Sequence, residues 1–130
     1  MLRKMIRNIL NEKILPVYGD GKNRRDWLYV EDHCKAVWMI LNYGQAGKDY
    51  NIAGENEWEN IKLVHVLCEK MALCMRKDTK YYKKLITFVN DRPGHDRRYA
   101  IDASKVRSET GWTPRHQFAE GLEKTVQWYL

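Results

Sequence analysis

Apolar residues recur along this chain in two patterns, a helical period near 3.6 and short runs rich in β-branched and aromatic residues. The helical pattern predicts five helices, at residues 3–12, 33–44, 61–75, 103–111 and 118–130. The short runs predict four strands, at residues 15–19, 25–30, 49–54 and 84–90. The predicted order is helix, strand, strand, helix, strand, helix, strand, helix, helix, which is typical of an α/β protein.

The first two helices differ in how clearly their starts are marked. The first has almost no preceding residues and no clear N-cap, so we expect a chain cut from a larger protein. Asp32 is placed to cap the second helix. That helix carries one apolar face, formed by Ala36, Val37, Ile40 and Leu41.

The pattern predicts one domain over residues 1–130, with no internal repeat and no linker. No glycine-rich G-x-G-x-x-G turn follows a strand and opens a helix. The nearest candidate, "GDGKN" at 19–23, lies between two predicted strands. The sequence therefore carries no fingerprint for a dinucleotide phosphate.

Composition adds a basic balance to this picture. The chain is 44% hydrophobic and 31% charged, with a formal net charge of +6. A positive protein attracts anions but does not choose among them. The basic cluster at 75–84 is more typical of solvated surface than of a nucleic-acid groove, because Lys and Arg are scattered over the chain.

The cysteines give no sign of a metal site or a disulfide framework. Cys34, Cys68 and Cys74 are an odd number without a C-x-x-C pair, and no histidine lies at ligand spacing from them. We expect three buried thiols in a reducing compartment. No signal peptide or long apolar run occurs, so we expect a cytoplasmic protein without membrane contact.

Three single residues are candidates for ligand binding. Arg25 starts a strand after "GDGKN", where its guanidinium can bind a phosphate or pair with Asp26 on the surface. Asn60 is placed as the N-cap of the third helix, whose N-terminal amides also attract anions. Tyr18 can stack on a base or sugar, or pack as an ordinary strand tyrosine.

The densest candidate is the loop "DRPGHDRR" at 91–98. It follows the last strand, where ligand-binding loops of α/β proteins lie. It combines a Pro-Gly turn with several charges and one histidine, namely Asp91, Arg92, Pro93, Gly94, His95, Arg97 and Arg98. Two interpretations stay open, an anion site and a loop fixed by its own Asp–Arg pairs. No catalytic set accompanies it, since no nucleophile elbow occurs and the one Tyr-x-x-x-Lys spacing, Tyr18 with Lys22, falls in a predicted strand and turn rather than on a helix.

Three segments together resemble one family, the dTDP-glucose 4,6-dehydratases of the extended short-chain dehydrogenase/reductase superfamily. They are "LPVYGDGKNRRDWLYVEDHCKAVWMIL", "YNIAGENEWENI" and "DRPGHDRRYAIDASKV" with the "GWTP" and "GLEKTVQWYL" that follow. The resemblance implies the small mixed-sheet, C-terminal substrate-binding domain of such an enzyme. It also implies a dTDP-sugar site formed by Pro16, Val17, Tyr18, Arg25, Asn60, Asp91, Arg92, Pro93, Gly94 and His95. Arg97 and Arg98 are left as loop-fixing or interface residues.

Enzymes of this family use bound NAD to oxidise the sugar, eliminate water and return the hydride. The glycine-rich NAD turn, the Thr-Asp-Glu set and the Tyr-x-x-x-Lys pair of the family's N-terminal half do not occur here. The opening "MLRKM" also replaces a segment with a substrate-binding lysine. The resemblance therefore implies a fragment without the NAD-binding Rossmann domain, which holds no cofactor and is inactive alone.

Four further expectations concern self-association and alternative functions of the chain. The "RDWLYV" and "YNIA" segments would pack on the NAD-binding sheet, so we expect self-association through the surface exposed by truncation. Among related enzymes, the alternative is a sugar-nucleotide epimerase fragment, against which "DRPGHDRRYAID" argues. A small basic nucleic-acid-binding module is a second alternative, and nucleic acid is not our expected partner. A purely structural oligomerisation domain is the third.

Overall fold

A computed structural model describes residues 1–130 and contains six helices and five strands. The helices are α1 (Leu2–Leu10), α2 (Val30–Tyr43), α3 (Asn60–Met75), α4 (Thr79–Lys83), α5 (Ser104–Thr110) and α6 (Phe118–Tyr129). The strands are β1 (Leu15–Tyr18), β2 (Arg24–Asp26), β3 (Glu57–Glu59), β4 (Ile86–Val89) and β5 (Arg98–Tyr99). The predicted α/β class is confirmed.

The strands form two small sheets, one parallel and one mixed. β1 pairs in parallel with β4, with Leu15 opposite Ile86 and Tyr18 opposite Val89. β2 lies between β3, to which it is antiparallel, and β5, to which it is parallel. These pairings bring the loop after β4 to the same edge as the turn that joins β1 to β2, which explains how residues far apart in sequence meet.

The buried apolar residues form two clusters. The larger one contains 13 buried residues of α1, β1, α3, α4 and α6. In α3 the buried face follows the helical repeat through Leu63, Leu67 and Met71. The smaller cluster lies between α2 and α5 and includes Trp112, whose indole N–H donates to the carbonyl of Asp32 (3.1 Å). The larger cluster supports the cavity described below.

Two strand predictions were wrong in their extent or existence. The strand predicted at 25–30 ends at Asp26, because the carboxylate of Asp26 accepts the backbone N–H groups of Gly54 and Asn56 at 2.6 Å each. These bonds turn the chain at residues 54–56, so 49–54 forms no strand and β3 follows instead at Glu57–Glu59. Helix α4 and strand β5 were not predicted.

The predicted caps also differ from the structure. Asp32 lies in the first turn of α2, after the N-cap position of Tyr29, and accepts the N–H of His116 at 2.9 Å. Asn60 is the first residue of α3 and makes no side-chain cap. The face predicted for α2 is only partly buried, because Leu41 is 75% exposed.

Of the three cysteines, only Cys68 is buried, so the expectation of three buried thiols was wrong for Cys34 and Cys74. Both lie on helix faces that point to solvent. None of the six helices combines the length and the apolar composition that crossing a bilayer requires.

Candidate functional site

A cavity of about 510 Å³ opens where β1, β2, the start of α1, the start of α3 and the loop after β4 meet. Seven of the ten residues predicted to bind ligand line it, namely Pro16, Val17, Tyr18, Arg25, Asn60, Arg92 and His95. They come from four separate segments of the chain. The structure therefore brings together most of the set that the family resemblance implied.

The other three predicted residues lie outside the cavity wall. Pro93 and Gly94 are exposed, and Gly94 adopts a left-handed conformation (φ 68°) that a turn of this kind requires. The N–H of His95 donates to the carbonyl of Arg92 (3.2 Å) and closes the turn. Asp91 contacts the cavity wall through His95 and through the backbone N–H of Arg92. These residues shape the loop that presents Arg92 and His95.

Asp91 and His95 form a hydrogen-bonded pair at the cavity edge. His95 Nδ1 lies 2.6 Å from Asp91 Oδ1, and the His95 side chain is only 8% exposed. The hydrogen bond from His95 lowers the pKa of Asp91 below its ordinary value, so this carboxyl is ionised near neutral pH. Because a carboxylate only accepts, the Nδ1 atom carries the proton. Nε2 of His95 is then the ring nitrogen left for a ligand.

The guanidinium of Arg25 is held by two backbone carbonyls. One terminal nitrogen donates to the carbonyl of Arg24 (2.7 Å) and the other to that of Asp96 (2.9 Å), and the group lies 5.3 Å from the ring centre of Tyr99. Arg25 makes no salt bridge, so the surface pair with Asp26 considered from the sequence does not form. Its remaining N–H donors are available to an anion.

Tyr18 lies between two other residues of the site. The guanidinium of Arg92 is 5.8 Å from the Tyr18 ring centre, and His95 meets the same ring edge-on at 6.3 Å. Tyr18 remains 39% exposed. A half-exposed ring beside an unpaired arginine can stack on a flat heterocycle while the arginine approaches an attached anion.

Asn60 contributes differently from the sequence prediction. Its N–H donates to the carbonyl of Asn23 and that of Ile61 to the carbonyl of Gly21, both at 2.9 Å. The first two amides of α3 are therefore already bonded, which leaves this helix start less suited to an anion than its position in the sequence indicated. The side-chain Oδ1 of Asn60 is buried without a hydrogen-bond partner at the cavity wall, where it can accept from a ligand.

The cavity contains charged and aromatic residues that the sequence analysis did not select. Lys4 reaches it from α1, Asp26 and Trp27 from the end of β2, and Val64 from α3. Lys4 makes no salt bridge. The basic residues between the apolar positions of α1 were visible in the sequence, but their direction relative to β1 was not.

Arg97 and Arg98 face away from the cavity and hold the loop against neighbouring segments. This is the loop-fixing role, one of the two that the sequence left open for them. Arg97 makes two hydrogen bonds to Asp20 (2.7 and 3.0 Å), and Arg98 makes two to Glu57 (2.8 and 2.6 Å). The bond from Arg97 lowers the pKa of Asp20 to about 2. Both arginines are thus neutralised by carboxylates from neighbouring segments.

A second and larger groove, of about 840 Å³, lies on the other side of Trp27 against α6. It is lined by Leu28, Phe118 and Trp128 among other apolar residues, and none of the ten predicted residues lies in it. The smaller cavity is the better candidate for a small-molecule site, because cationic, aromatic and hydrogen-bonding groups converge there.

Known proteins with similar sequences are nucleotide-sugar enzymes. The family model described as GDP-mannose 4,6 dehydratase matches residues 1–125. dTDP-glucose 4,6-dehydratase from Escherichia coli is 51% identical over 126 residues, which are 97% of this chain and 35% of the relative. The enzyme from Neisseria meningitidis is 52% identical over 129 residues, with 36% of its length covered. The chain thus spans about a third of the length of these relatives.

Solved structures agree with the sequence comparison. dTDP-glucose 4,6-dehydratase from Bacillus anthracis, in complex with NAD, is 46% identical with a TM-score of 0.81 over 98% of this chain and 38% of that one. The Streptomyces venezuelae enzyme, solved with NAD and dTDP bound, is 37% identical with a TM-score of 0.85 over 97% of this chain and 37% of its own. UDP-glucose 4-epimerase from Thermotoga maritima, at 24% identity and a TM-score of 0.86, shares the fold.

Proposed function

This chain belongs to the family described as GDP-mannose 4,6 dehydratase, within the extended short-chain dehydrogenases/reductases, and we propose that it forms the dTDP-sugar-binding part of a dTDP-glucose 4,6-dehydratase. The observation that carries the proposal is the convergence of Arg25, Arg92, Tyr18 and His95 on one cavity. Identities of 37–52% to dehydratases, against 24% to an epimerase, favour the dehydratase substrate.

Each group in the cavity has a role that follows from its chemistry. Arg25, already fixed by two carbonyls, offers its remaining donors to the diphosphate. Tyr18 and Arg92 hold the thymine ring and its neighbouring phosphate. His95 contacts the diphosphate or a sugar hydroxyl through Nε2, and Asn60 Oδ1 accepts from a hydroxyl.

Pro16 and Val17 form the apolar floor under the nucleoside, since β1 presents them beside Tyr18. Asp91 holds the His95 ring through the hydrogen bond to Nδ1, and Pro93 and Gly94 form the turn between them. All ten residues predicted from the sequence therefore keep a place in the proposed site, seven as wall residues and three as support.

The described residues do not fit NAD, the cofactor present in structures of the relatives. The only glycine-rich turn, after β1, leads into β2 rather than into a helix. Its backbone N–H groups are already bonded, that of Gly19 to Val89 (2.9 Å), that of Gly21 to Tyr18 (3.1 Å) and that of Lys22 to the Asp20 side chain (2.9 Å). We propose that this part of the enzyme binds substrate and that NAD and the elimination chemistry require other residues.

Isothermal titration of the chain with dTDP, UDP and GDP tests the binding proposal. We expect micromolar affinity for dTDP, weaker binding of the other two, and a loss of about tenfold or more in Arg25→Ala and in His95→Ala. Lys62→Ala, which removes a cation of α3 outside the cavity, is the matched control and should bind normally. No heat at millimolar dTDP, or duplex DNA binding with a steep salt dependence, would reject the proposal.

We also propose that the isolated chain self-associates and does not convert dTDP-glucose when NAD is supplied. The "RDWLYV" and "YNIA" segments are mostly half-buried, whereas α2 exposes a group of apolar side chains at Val37, Trp38 and Leu41. Light scattering that reports a monomer at high concentration would contradict self-association. A 4-keto sugar product detected in the reaction mixture would contradict inactivity.

A further inference from the structure

Asn23 is a buried polar residue that lies beside the candidate site without lining it. It is 1% exposed and belongs to the turn that joins β1 to β2. Its carbonyl accepts the N–H of Asn60 (2.9 Å), and its side-chain Nδ2 lies 3.2 Å from the carbonyl of Asp96 and 3.4 Å from Nδ1 of His95. One residue thus contacts two separate walls of the cavity.

The protons around His95 fix how the Asn23 amide is oriented. His95 Nδ1 donates to Asp91 Oδ1, the nearer partner at 2.6 Å, so it cannot also accept from Asn23. The Asn23 N–H therefore goes to the carbonyl of Asp96. Turning the amide over would place its oxygen against that carbonyl, which would bring two acceptors together. The observed orientation is the one that supplies a donor to Asp96.

The carbonyl of Asp96 accepts from two side chains at once. Besides Asn23, it accepts the terminal nitrogen of Arg25 at 2.9 Å. Asn23 therefore helps to hold the peptide group against which the Arg25 guanidinium rests. A shift of this peptide would move both the Arg25 fork and the neighbouring His95 ring.

The Asn23 side chain contributes little net stability to the fold. Oδ1 of Asn23 is buried with no hydrogen-bond partner, and a buried acceptor without a partner opposes folding. Replacing Asn23 by alanine would remove both the hydrogen bond from Nδ2 to the Asp96 carbonyl and the unsatisfied acceptor Oδ1. The two effects oppose each other, so the amide is better explained by placement of the loop than by stability.

We propose that Asn23 is a positioning residue for the diphosphate end of the nucleotide-sugar site. It sets the Asp96 peptide, and through it the Arg25 guanidinium and the His95 ring, while its carbonyl ties the same turn to the start of α3. This inference rests on the proposed function for its ligand but concerns a residue outside the predicted set.

Asn23→Ala is compared with wild type in three measurements. The melting temperature should change by less than about 5 °C, because the opposing terms nearly cancel. Affinity for dTDP should fall about tenfold, and affinity for dTMP about twofold or less, so that discrimination between the two phosphates is lost. A purely structural defect would weaken both ligands equally.

Amide hydrogen exchange in the ligand-free protein tests the positioning role without any ligand. The N–H groups of His95 and Arg24, which donate to carbonyls of the loop at Arg92 and Arg97, should exchange about tenfold faster in Asn23→Ala. The amide of the buried residue Leu67 in α3 should be unchanged. This measurement tests the positioning role of Asn23 independently of the proposed function, since the exchange rates can be compared even if dTDP does not bind.

Arg97→Ala is the matched control, because it removes an exposed link between the same loop and the same turn. We expect it to change dTDP affinity by less than twofold. If Asn23→Ala does not fold, Asn23→Ser carries the same measurements. Loop exchange rates at wild-type values, or dTDP and dTMP weakened by the same factor, would overturn the proposal.

Discussion

Gly54→Ala is expected to be among the most damaging single-methyl changes in this chain. A Cβ at Gly54 would lie 2.3 Å from the carbonyl oxygen of Trp27 and 3.0 Å from its carbonyl carbon. Both obstacles are backbone atoms, so no side chain can rotate away. Residues 54–56 would have to move from β2 by about 1 Å to reach ordinary contact distance.

The cost of that movement can be worked from the bonds it disturbs. The N–H groups of Gly54 and Asn56 each donate to the Asp26 carboxylate at 2.6 Å, and the N–H of Trp27 donates to the Asn56 carbonyl at 3.1 Å. Charge-assisted bonds contribute about 1.5–3 kcal/mol each, and overpacking costs about 1–3 kcal/mol. Partial loss of both bonds together with the clash gives about 3–5 kcal/mol, or a fall of about 10–20 °C in melting temperature.

Thermal unfolding followed by circular dichroism measures the fall in melting temperature of Gly54→Ala, with Gly111→Ala as the matched control. Gly111 has a left-handed backbone (φ 71°) but no atom within 4 Å of an added Cβ, so only the conformational cost of about 1–2 kcal/mol applies. If the two variants melt within about 3 °C of each other, the close-approach argument is wrong. In a double-mutant cycle with Asp26→Ala, the stability lost by the double variant should be smaller than the sum of the two single losses, because both changes weaken the same contacts between Asp26 and residues 54–56.

Three further predictions concern charge and reactivity. Arg25→Lys keeps the charge but loses the planar fork, so titration calorimetry should show dTDP bound about tenfold more weakly; equal affinity would contradict the assigned geometry. Cys34 and Cys74 are exposed, whereas burial raises the pKa of Cys68 to about 11, so mass spectrometry after native alkylation should find two adducts rather than three. The pKa of Asp20 falls from 3.8 to about 2 on folding, so its ion pair stabilises the protein fully above pH 3.8 and this stabilisation is lost as the pH falls toward 2. In urea titrations over this pH range, the free energy of unfolding of Asp20→Asn should therefore depend less on pH than that of the wild type.

The hydrophobic pattern predicted the long helices well because their burial is periodic along one face. Leu63, Leu67 and Met71 of α3 follow the helical repeat into the larger core. The short strands were harder, because their existence depends on a distant partner. The run at 49–54 has strand-forming residues, yet the carboxylate of Asp26 binds the amides of Gly54 and Asn56, and the chain turns where the run ends. A side-chain clamp of this kind has no signature in the local sequence.

The site was predictable in its members but not in their roles. Residue chemistry and the family resemblance selected Arg25, Tyr18, Arg92 and His95, and these four meet at one cavity. The role of Asn60 was mistaken because the carbonyls of Gly21 and Asn23 cap α3 from another segment. Asn23 was missed altogether, since a buried asparagine in a glycine-rich turn looks like an ordinary turn residue until its partners are known.

Counting the charges of the loop after β4 could not distinguish an anion site from a salt-bridged surface, because the loop contains both paired and unpaired arginines. Arg97 and Arg98 each make two hydrogen bonds to a carboxylate on a neighbouring segment and are neutralised there. Arg92 makes no ion pair and turns toward the cavity, where Arg25 is likewise unpaired. The outward pairs hold the loop in place while the inward cations keep their charge for a ligand. A loop with fewer arginines could supply either function, but this one has enough to supply both.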